Sequence, residues 1–438
     1  MKHVLLAATL LTALVPAAAD ARKRPAPAPA YVPAARPVPS DPVDAVYFHR
    51  NEARIWFRDA ATRAAAASVP SLLRRAQIEG FAAGPQLAAQ IDAAIQQASS
   101  GNPAAIAAAD RAVSRAWVTY VQHLKRPTPG MDYAYPMLKP QGARPDQILL
   151  TAAAAPSLQQ HVVQASNVNA MYAGIRDAAW AEAQARGNAA PDPRVLINLD
   201  RARSIPGAGK FAVVDVAAKR LFMFENGRPV DSMRVIVGEP KYFTPMMASY
   251  IHYITLNPYW DAPDHLVRKN IADKVLKGGR AYFESSGYEA MADWTANSAV
   301  IPFEQVDWKA VSAGKTQLRV RQKPGPKNFM ASMKIPFVND HDIYLHDTPA
   351  KEAFARPELA QSNGCIRLED AKRFARFLTG GSDPTTASRE PEQHMQLRQG
   401  IPIYVTYLTA QPRDGKLVYV SDVYGWDKAG GARVADAR

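Results

Sequence analysis

Apolar residues recur at three- and four-residue spacing through the first half of the chain. Leu87, Ile91 and Ile95 lie four positions apart, and the same periodicity returns over 112–124. This spacing is typical of helices that bury one face. We therefore predict an all-helical scaffold domain over 44–190. It shows no acid pair, metal-ligand spacing or glycine-rich loop, so we expect structural support or recognition of partner proteins.

The pattern changes near Val195, where short apolar runs separated by turn residues replace the helical spacing. Such runs are typical of β-strands, and Asn226-Gly227 is a strong hairpin signal. We predict a β-rich domain over 195–425, with one helix over about 368–378. The runs that predict strands are VLINLDRAR (195–203), KFAVVDVAA (210–218), RLFMFENG (220–227), PVDSMRVIVG (229–238), SYIHYITLNPYW (249–260), QLRVRQ (317–322), NDHDIYLHD (339–347), IPIYVTYLTA (401–410) and KLVYVSDVYG (416–425).

A polar segment interrupts these strands over 264–314. Its pattern is helical and punctuated by glycines. An insertion of this length between strands is usually a lid or a capping element. The predicted fold class is therefore α+β: an all-helical scaffold domain followed by a β-rich domain that carries a capping insertion.

Both ends of the chain differ from these domains. Lys2, an apolar stretch and Ala17-Ala18-Ala19 predict a cleaved secretory signal over 1–19, so we expect an exported, periplasmic protein. Pro/Ala-rich residues 20–43 predict an extended linker, and residues 426–438 a loose tail. No other segment is long and apolar enough to predict a membrane span.

The net charge narrows the classes of molecule that this protein is expected to bind. A formal charge of +13 and a pI near 9.6 favour an anionic partner or surface. Nucleic acid is a poor candidate for an exported protein without a base-reading motif. Cell-wall peptides, which carry several carboxylates, fit better. The excess charge could equally serve solubility.

The chain contains one cysteine, Cys365, and a histidine, His346, lies a short distance before it at the end of an apolar run. An exported protein usually pairs its cysteines, and a lone thiol is a liability unless it is used. Cysteine and histidine together are the minimum for thiolate nucleophilic catalysis. The alternatives are an inert buried thiol and a structural histidine.

Strand alternation assigns faces around the histidine. Asp342, Tyr344 and His346 are predicted on one face, which looks into a cleft, and Ile343 and Leu345 on the core face. His341 and His346 would then point apart, and no HExxH or paired-cysteine motif is present. We therefore predict neither a metal site nor a cofactor.

The residues around the cysteine are small and polar. Ser362-Asn363-Gly364 lets the backbone turn tightly before Cys365, so the Gly364 and Cys365 N–H groups are candidates for an oxyanion site. The predicted helix begins just beyond Arg367. A thiol ahead of a helix start and close to an arginine and a histidine has the surroundings that lower a thiol pKa.

These motifs resemble a known family. HDTP (346–349), followed after a gap by S-x-G-C-x-R (362–367), resembles the signature of the L,D-transpeptidase catalytic domain of the YkuD type. LNPYW, VRQKPGPKN and IPIYVTYLTA also resemble the larger periplasmic, YcbB-like members. The resemblance covers about 195–425, and a weaker one to the family's helical scaffold covers 44–190. No segment resembles the separate peptidoglycan-binding module that many members carry.

The resemblance implies a substrate and a reaction in cell-wall synthesis. Cys365 would attack the carbonyl between the third residue of a peptidoglycan stem tetrapeptide, a diamino acid, and its terminal D-Ala. D-Ala would be released and the stem would be held as a thioester. The side-chain amine of a neighbouring stem would then attack this thioester and form a 3→3 cross-link. Carbapenems would target the same thiol, and cell-wall synthesis partners could dock on the helical domain.

The resemblance also implies residue roles. His346 would take the thiol proton, and the backbone carbonyl of Asp347 would orient its imidazole. Tyr344 and Trp260 match aromatic residues that line the family's cleft. Arg367 matches the motif arginine, and we expect it to support the nucleophile loop.

Asn363 departs from the family pattern, which usually has histidine before the motif glycine. Asparagine donates hydrogen bonds but does not titrate near neutral pH. If that histidine only shapes the oxyanion site, Asn363 can replace it; if it transfers protons, activity falls or is lost. In either case His346 is left as the base.

Other functions compete with the transpeptidase. Attack by water would make an L,D-carboxypeptidase, and attack by a protein lysine an enzyme that anchors proteins to peptidoglycan. A serine penicillin-binding enzyme is suggested only by Ser312-Ala313-Gly314-Lys315, which lacks the partner motifs. A catalytically silent wall-binding scaffold is suggested by Asn363 and the large helical region.

Overall fold

The N-terminal region is helical, as its apolar spacing predicts. The computed structural model describes residues 36–187, 190–384 and 389–428, so the predicted signal sequence and most of the predicted linker lie outside the described residues. From Ser40 onward the described chain forms one compact unit. Its first eight helices are α1 (Pro42–His49), α2 (Ala60–Arg75), α3 (Gly84–Ala98), α4 (Pro103–Leu124), α5 (Pro145–Ala154), α6 (Leu158–Asn167), α7 (Ala170–Ala185) and α8 (Pro193–Ala202).

A buried carboxylate fixes the start of this helical region. Asp110 of α4 is fully buried and accepts the backbone N–H groups of Ile55, Trp56 and Phe57 at 2.8–3.2 Å. A buried carboxylate is tolerated only when its oxygens are hydrogen-bonded. The Trp56 and Trp117 rings then pack edge to face beside it, so the segment between α1 and α2 is held against α4.

The VLINLDRAR run is a helix, so its prediction as a strand was wrong. Asp192 caps α8 by accepting the Arg194 N–H at 2.9 Å. Val195, Leu199 and Ala202 lie four and three positions apart and are all buried, which is the spacing of a helix face. The β-rich region therefore begins after α8.

The remaining chain builds a large sheet, which confirms the α+β prediction. Neighbouring strands follow the order β5, β10, β11, β13, β4, β3, β2 and β14, and β14 pairs back onto β5, so the sheet closes on itself. The strands are β1 (Asp132–Tyr133), β2 (Phe211–Asp215), β3 (Arg220–Glu225), β4 (Arg228–Gly238), β5 (Met247–Leu256), β6 (Trp260–Asp261), β7 (Tyr288–Met291), β8 (Val300–Ile301), β9 (Arg319–Gln322), β10 (Met333–Pro336), β11 (Tyr344–His346), β12 (Ala360–Ser362), β13 (Ile366–Leu368), β14 (Gln393–Thr406), β15 (Ala410–Arg413) and β16 (Lys416–Tyr419).

A strand, not a helix, directly follows the cysteine. β13 occupies 366–368, and the last helix, α12 (Ala371–Thr379), begins only after its cap Asp370. The predicted helix exists, but Cys365 does not lie at its start. The expectation that its dipole lowers the thiol pKa is therefore wrong, because such effects fade within one turn.

The insertion is an α+β unit rather than a helical segment, and it extends beyond 264–314. It contains α9 (Asp264–Leu266), α10 (Asp273–Ser285) and α11 (Trp308–Ser312), with a π-helical turn between α9 and α10. Strands β6, β9, β7 and β8 form a separate sheet. Buried residues between 260 and 330 give this unit its own apolar core, against which Tyr344 packs.

The end of the described chain is anchored, which corrects the loose-tail prediction for two residues. Trp426 is buried and packs against Tyr407, and Asp427 forms an ion pair with buried Arg201 at 2.7 Å. Residues 429–438 lie outside the described residues. No helix in the described part of the chain has the length and apolar character needed to cross a membrane.

Candidate active site

The turn that carries Cys365 joins β12 to β13. The buried Ser362 hydroxyl donates to the Cys365 carbonyl at 2.6 Å and accepts the Gly364 N–H at 3.1 Å. Gly364 has a φ of 110°, which only glycine adopts without strain. Ser362 therefore holds the turn closed from within, and Cys365 is half-buried on it.

The contact with Ser362 changes the oxyanion prediction. The Gly364 N–H already donates to the Ser362 hydroxyl, so it is not available for a substrate oxygen in this geometry. The oxyanion prediction therefore no longer includes the Gly364 N–H.

Thr244 supports the same turn from outside the motif. Its hydroxyl is fully buried, donates to the Gly364 carbonyl at 2.7 Å and accepts the Gly238 N–H at 2.9 Å. A Cβ at Gly238 would lie 2.0 Å from the Tyr242 carbonyl oxygen, so this close packing requires glycine. One hydroxyl thus ties the end of β4 to the nucleophile turn.

Strand pairing brings the cysteine and the histidine to one face of the sheet. β11 and β13 run parallel, with Leu345 opposite Ile366 and His346 opposite Arg367. Side chains alternate along both strands, so Tyr344 and His346 share a face with Cys365 and Arg367. Ile343 and Leu345 are buried on the core side, as predicted.

Asp342 does not belong to that strand face. Its φ of 53° is left-handed, so the predicted alternation ends before Tyr344. Instead, the Asp342 carbonyl lies 3.6 Å from the Cys365 sulfur and accepts its thiol. The backbone of this turn therefore orients the Cys365 thiol, which strand alternation could not indicate.

His346 is buried and its tautomer is set by a backbone oxygen. Nδ1 lies 2.6 Å from the Asp347 carbonyl; a carbonyl only accepts, so Nδ1 carries the proton and Nε2 is the acceptor. Burial, reinforced by the positive charges of Arg367 and Lys334, lowers the pKa of His346 to about 3. The imidazole is therefore neutral at neutral pH.

The Asp347 carboxylate is anchored separately. Burial acts to raise the pKa of Asp347, but hydrogen bonds from Lys351 and Ser332, both at 2.7 Å, outweigh it and lower the pKa overall. Lys351 also donates to the Leu368 and Glu369 carbonyls. Lys351 thereby links Asp347, whose backbone carbonyl binds His346, to the end of β13.

Tyr344 contacts Cys365. Burial raises the pKa of its hydroxyl well above the usual value, with further contributions from the neighbouring Cys365. The centroid of the Tyr344 ring lies 5.7 Å from that of His346. Lys334 is on the neighbouring strand β10, and its ammonium lies 4.3 Å from the centre of the Tyr344 ring.

Trp260 and Asn363 occupy different surroundings from those expected. Trp260 is only 7% exposed and packs against Phe329 in the core of the insertion, so the structure does not support a cleft-lining role. Asn363 is half-buried, and its side-chain oxygen lies 3.4 Å from Nε2 of His265 in the insertion. His265 in turn stacks on Tyr242.

Arg367 is half-buried beside His346, and this desolvation lowers the pKa of its guanidinium while the neighbouring Cys365 acts in the opposite direction. His341, considered for a metal site, instead pairs with Asp132 at 2.8 Å. Across the described residues no group of three or more potential ligands is placed to hold a metal ion.

Comparison with known proteins identifies the domains. Residues 209–403 match the family model of the YkuD L,D-transpeptidase catalytic domain, and residues 41–178 match a Scaffold domain. The chain carries a YkuD L,D-transpeptidase catalytic domain. The resemblance inferred from the HDTP and S-x-G-C-x-R motifs is thus confirmed for the matched residues.

A curated relative agrees with this assignment. The chain is 28% identical over 241 residues to a Haemophilus influenzae protein named as a candidate L,D-transpeptidase. The matched region covers 54% of this chain and 48% of that protein. The chain therefore spans about half the length of the relative it matches.

Solved structures add only a distant likeness. An L,D-transpeptidase from Mycobacterium smegmatis matches with 12% identity, 46% of this chain, 59% of that chain and a TM-score of 0.24. L,D-transpeptidase 3 from Mycobacterium tuberculosis, in complex with a faropenem-derived adduct, matches with 13% identity and a TM-score of 0.22. This match covers 46% of this chain and 61% of that chain. Overlap of this extent carries no conclusion about substrate or residue roles.

Several site residues escaped the sequence analysis. Thr244 comes from the loop between β4 and β5 and His265 from α9, both far from the motif in sequence, and no local pattern distinguishes them. Lys334 had a detectable signal, because it stands between buried Met333 and Ile335 on a short strand that was not predicted.

Proposed function

We propose that this protein is a peptidoglycan L,D-transpeptidase that acts through a cysteine thioester. The observation that carries the proposal is the pairing of β11 with β13, which puts Cys365 on one sheet face with a neutral, buried His346 whose Nδ1–H is bound by the Asp347 carbonyl. A nucleophile, a base and a group that orients the base are the parts that acyl transfer requires.

In the first half-reaction, Nε2 of His346 takes the Cys365 proton as sulfur attacks the carbonyl that precedes D-Ala. The Cys365 N–H stabilises the developing oxyanion. The tetrahedral intermediate collapses, the C–N bond breaks, and the imidazolium gives its proton to the leaving D-Ala amine. The stem is then held as a thioester.

In the second half-reaction, the side-chain amine of a neighbouring stem attacks the thioester carbonyl. His346 accepts an amine proton, the C–S bond breaks, and the proton returns to the Cys365 thiolate. A 3→3 amide cross-link forms and the enzyme is restored. The predicted signal sequence supports the periplasm as the place of this reaction, and the basic charge supports binding to the acidic wall polymer.

The test is turnover of a defined donor. Purified protein is incubated with a disaccharide-tetrapeptide, and the products are followed by mass spectrometry. Cross-linked dimers that lack one D-Ala support the transpeptidase. Tripeptide alone supports an L,D-carboxypeptidase, transfer to an added lysine peptide supports an anchoring enzyme, and binding without any product supports a silent scaffold.

The nucleophile is tested in parallel with a carbapenem. Wild-type protein should gain the mass of one opened carbapenem, and Cys365→Ala should gain none, because the thiol forms the adduct. His346→Gln should slow adduct formation by about 100-fold or more, the range expected for loss of a general base. An adduct that persists in Cys365→Ala contradicts the cysteine mechanism.

A further inference from the structure

A row of three nitrogen-bearing side chains crosses the sheet at the candidate active site. Lys334 of β10 is directly opposite His346 of β11, which is opposite Arg367 of β13. Residues opposite one another on paired strands project from the same face. The row therefore carries a cation on each side of the proposed base.

The two cations have different neighbours. Arg367 is half-buried, and its charge acts on Cys365 and His346. Lys334 is half-buried, and its ammonium lies 4.3 Å from the centre of the Tyr344 ring. Among the described residues, no carboxylate lies within ion-pair distance of the Lys334 ammonium, whereas Lys351 pairs with Asp347 at 2.7 Å.

We propose that Lys334 binds the terminal carboxylate of the donor stem peptide, and so makes the enzyme selective for donors that end in a free carboxylate. This inference rests on the proposed function and names the recognition element of the same site. Lys334 is a specificity residue, while Cys365 and His346 perform the chemistry.

The chemistry of the donor places its carboxylate at this position. His346 protonates the D-Ala nitrogen as it leaves, and the D-Ala carboxylate is attached to the carbon that bears this nitrogen. A cation beside the imidazole therefore meets the carboxylate when the nitrogen meets Nε2. The Tyr344 ring holds the ammonium in place by a cation–π contact, which lowers the entropy lost on binding.

Two carboxylates near Tyr344 do not serve the same purpose. Asp261 is paired with Arg319 at 2.9 Å, and Asp342 is an exposed residue that reaches the thiol through its carbonyl. Both would repel a carboxylate, so discrimination in favour of an anionic donor end needs a cation, and Lys334, whose ammonium lies over the Tyr344 ring, supplies it.

Binding to an inactive protein tests the inference without turnover. Cys365→Ala protein is titrated calorimetrically with a stem tetrapeptide, with its C-terminal carboxamide, and with a peptide amidated only at the side chain of the third residue. We expect the first to bind at least about tenfold more tightly than the C-terminal carboxamide. Lys334→Met in the same protein should abolish this preference, and Lys334→Arg should retain it.

Lys210→Met is the matched control, because the Lys210 ammonium also lies over an aromatic ring, that of Phe377 at 4.5 Å, but outside the row. Its carboxylate preference should equal that of the parent. The inference is overturned if the Cys365→Ala parent shows no preference, if Lys334→Met keeps it, or if affinity follows the amidation at the third residue. Wild-type turnover is measured separately, so failure of the cysteine chemistry is distinguishable from failure of carboxylate recognition.

Discussion

At the scale of single residues, the nucleophile is positioned mostly by groups that carry no charge. The Ser362 hydroxyl, the Thr244 hydroxyl and the Asp342 carbonyl bind the turn or its thiol, and the Asp347 carbonyl binds the histidine. Because these groups do not titrate near neutral pH, they hold the geometry of the turn across that range.

Thr244 gives the first prediction. Thr244→Val keeps the shape but removes a buried hydroxyl that serves the Gly364 carbonyl and the Gly238 N–H. We expect the free energy of unfolding to fall by about 1–3 kcal/mol and carbapenem acylation of Cys365 to slow by about tenfold. Thr244→Ser should restore both quantities. Acylation at the wild-type rate in Thr244→Val would show that this hydroxyl does not position the turn.

His346 gives a prediction about acid stability. Its pKa is about 3 in the folded protein and near 6.5 when unfolded. Between these values the unfolded chain binds more protons, so its contribution to stability is complete above pH 6.5 and is lost as the pH falls towards 3. His346→Gln should therefore show a shallower fall of unfolding free energy over this interval in urea titrations.

Burial also lowers the pKa of His123, to about 4. Because His123 is present in both proteins, its contribution cancels in the difference between their unfolding free energies. Parallel pH profiles for wild type and His346→Gln would contradict the assignment of His346 as a buried neutral base.

At the scale of elements, the insertion touches the nucleophile turn through one polar contact. His265 of α9 reaches Asn363 beside Gly364, and Tyr242 stacks on His265 from the loop that follows β4. The insertion also packs on Tyr344. It is thus linked to both strands of the site, and Asn363 serves as its point of attachment.

A double-mutant cycle tests this link. His265→Ala and Asn363→Ala should each slow carbapenem acylation by a few-fold, and the double variant should be no slower than the worse single variant. Their coupling would be about 0.5–1 kcal/mol, as found for residues in direct contact. Effects that add in the double variant would show that the two side chains act independently.

At the scale of the whole molecule, the end of the chain joins the helices to the sheet. After β14, the β15–β16 hairpin returns to the helical region, where Leu408, Ala410 and Leu417 enter the helical core. A Cβ at Gly174 of α7 would lie 2.9 Å from Pro412. The two regions therefore share a core, and we expect them to unfold together.

The buried ion pair between Arg201 and Asp427 gives the last prediction. Arg201 is 1% exposed at its side chain and Asp427 8%. Asp427→Ala leaves a buried guanidinium without its carboxylate, so we expect a loss of about 3–5 kcal/mol in the free energy of unfolding. The exposed pair of Arg74 and Asp92 is the control: Asp92→Ala should cost at most about 1 kcal/mol. Equal losses in urea unfolding would contradict a structural role for the chain end.

Local sequence determined much of this protein. Periodicity separated the helical region from the β-rich region, and the HDTP and S-x-G-C-x-R motifs indicated the catalytic domain, because both depend on residues close together in the chain. The prediction from periodicity is wrong at 195–203, where the chain forms a helix and not a strand. Asp192 and Pro193, just before this run, are a helix-start signal.

Tertiary structure alone decided how the site is assembled. The pairing of β11 with β13 aligned His346 with Arg367, and the turn at Asp342 directed a carbonyl to the thiol. Thr244, His265 and Lys334 come from a loop, a helix and a strand elsewhere in the chain. The physical reason is that strand register and loop packing depend on burial across the whole sheet. Periodicity reports which face of an element is buried, but it does not report which element lies beside it.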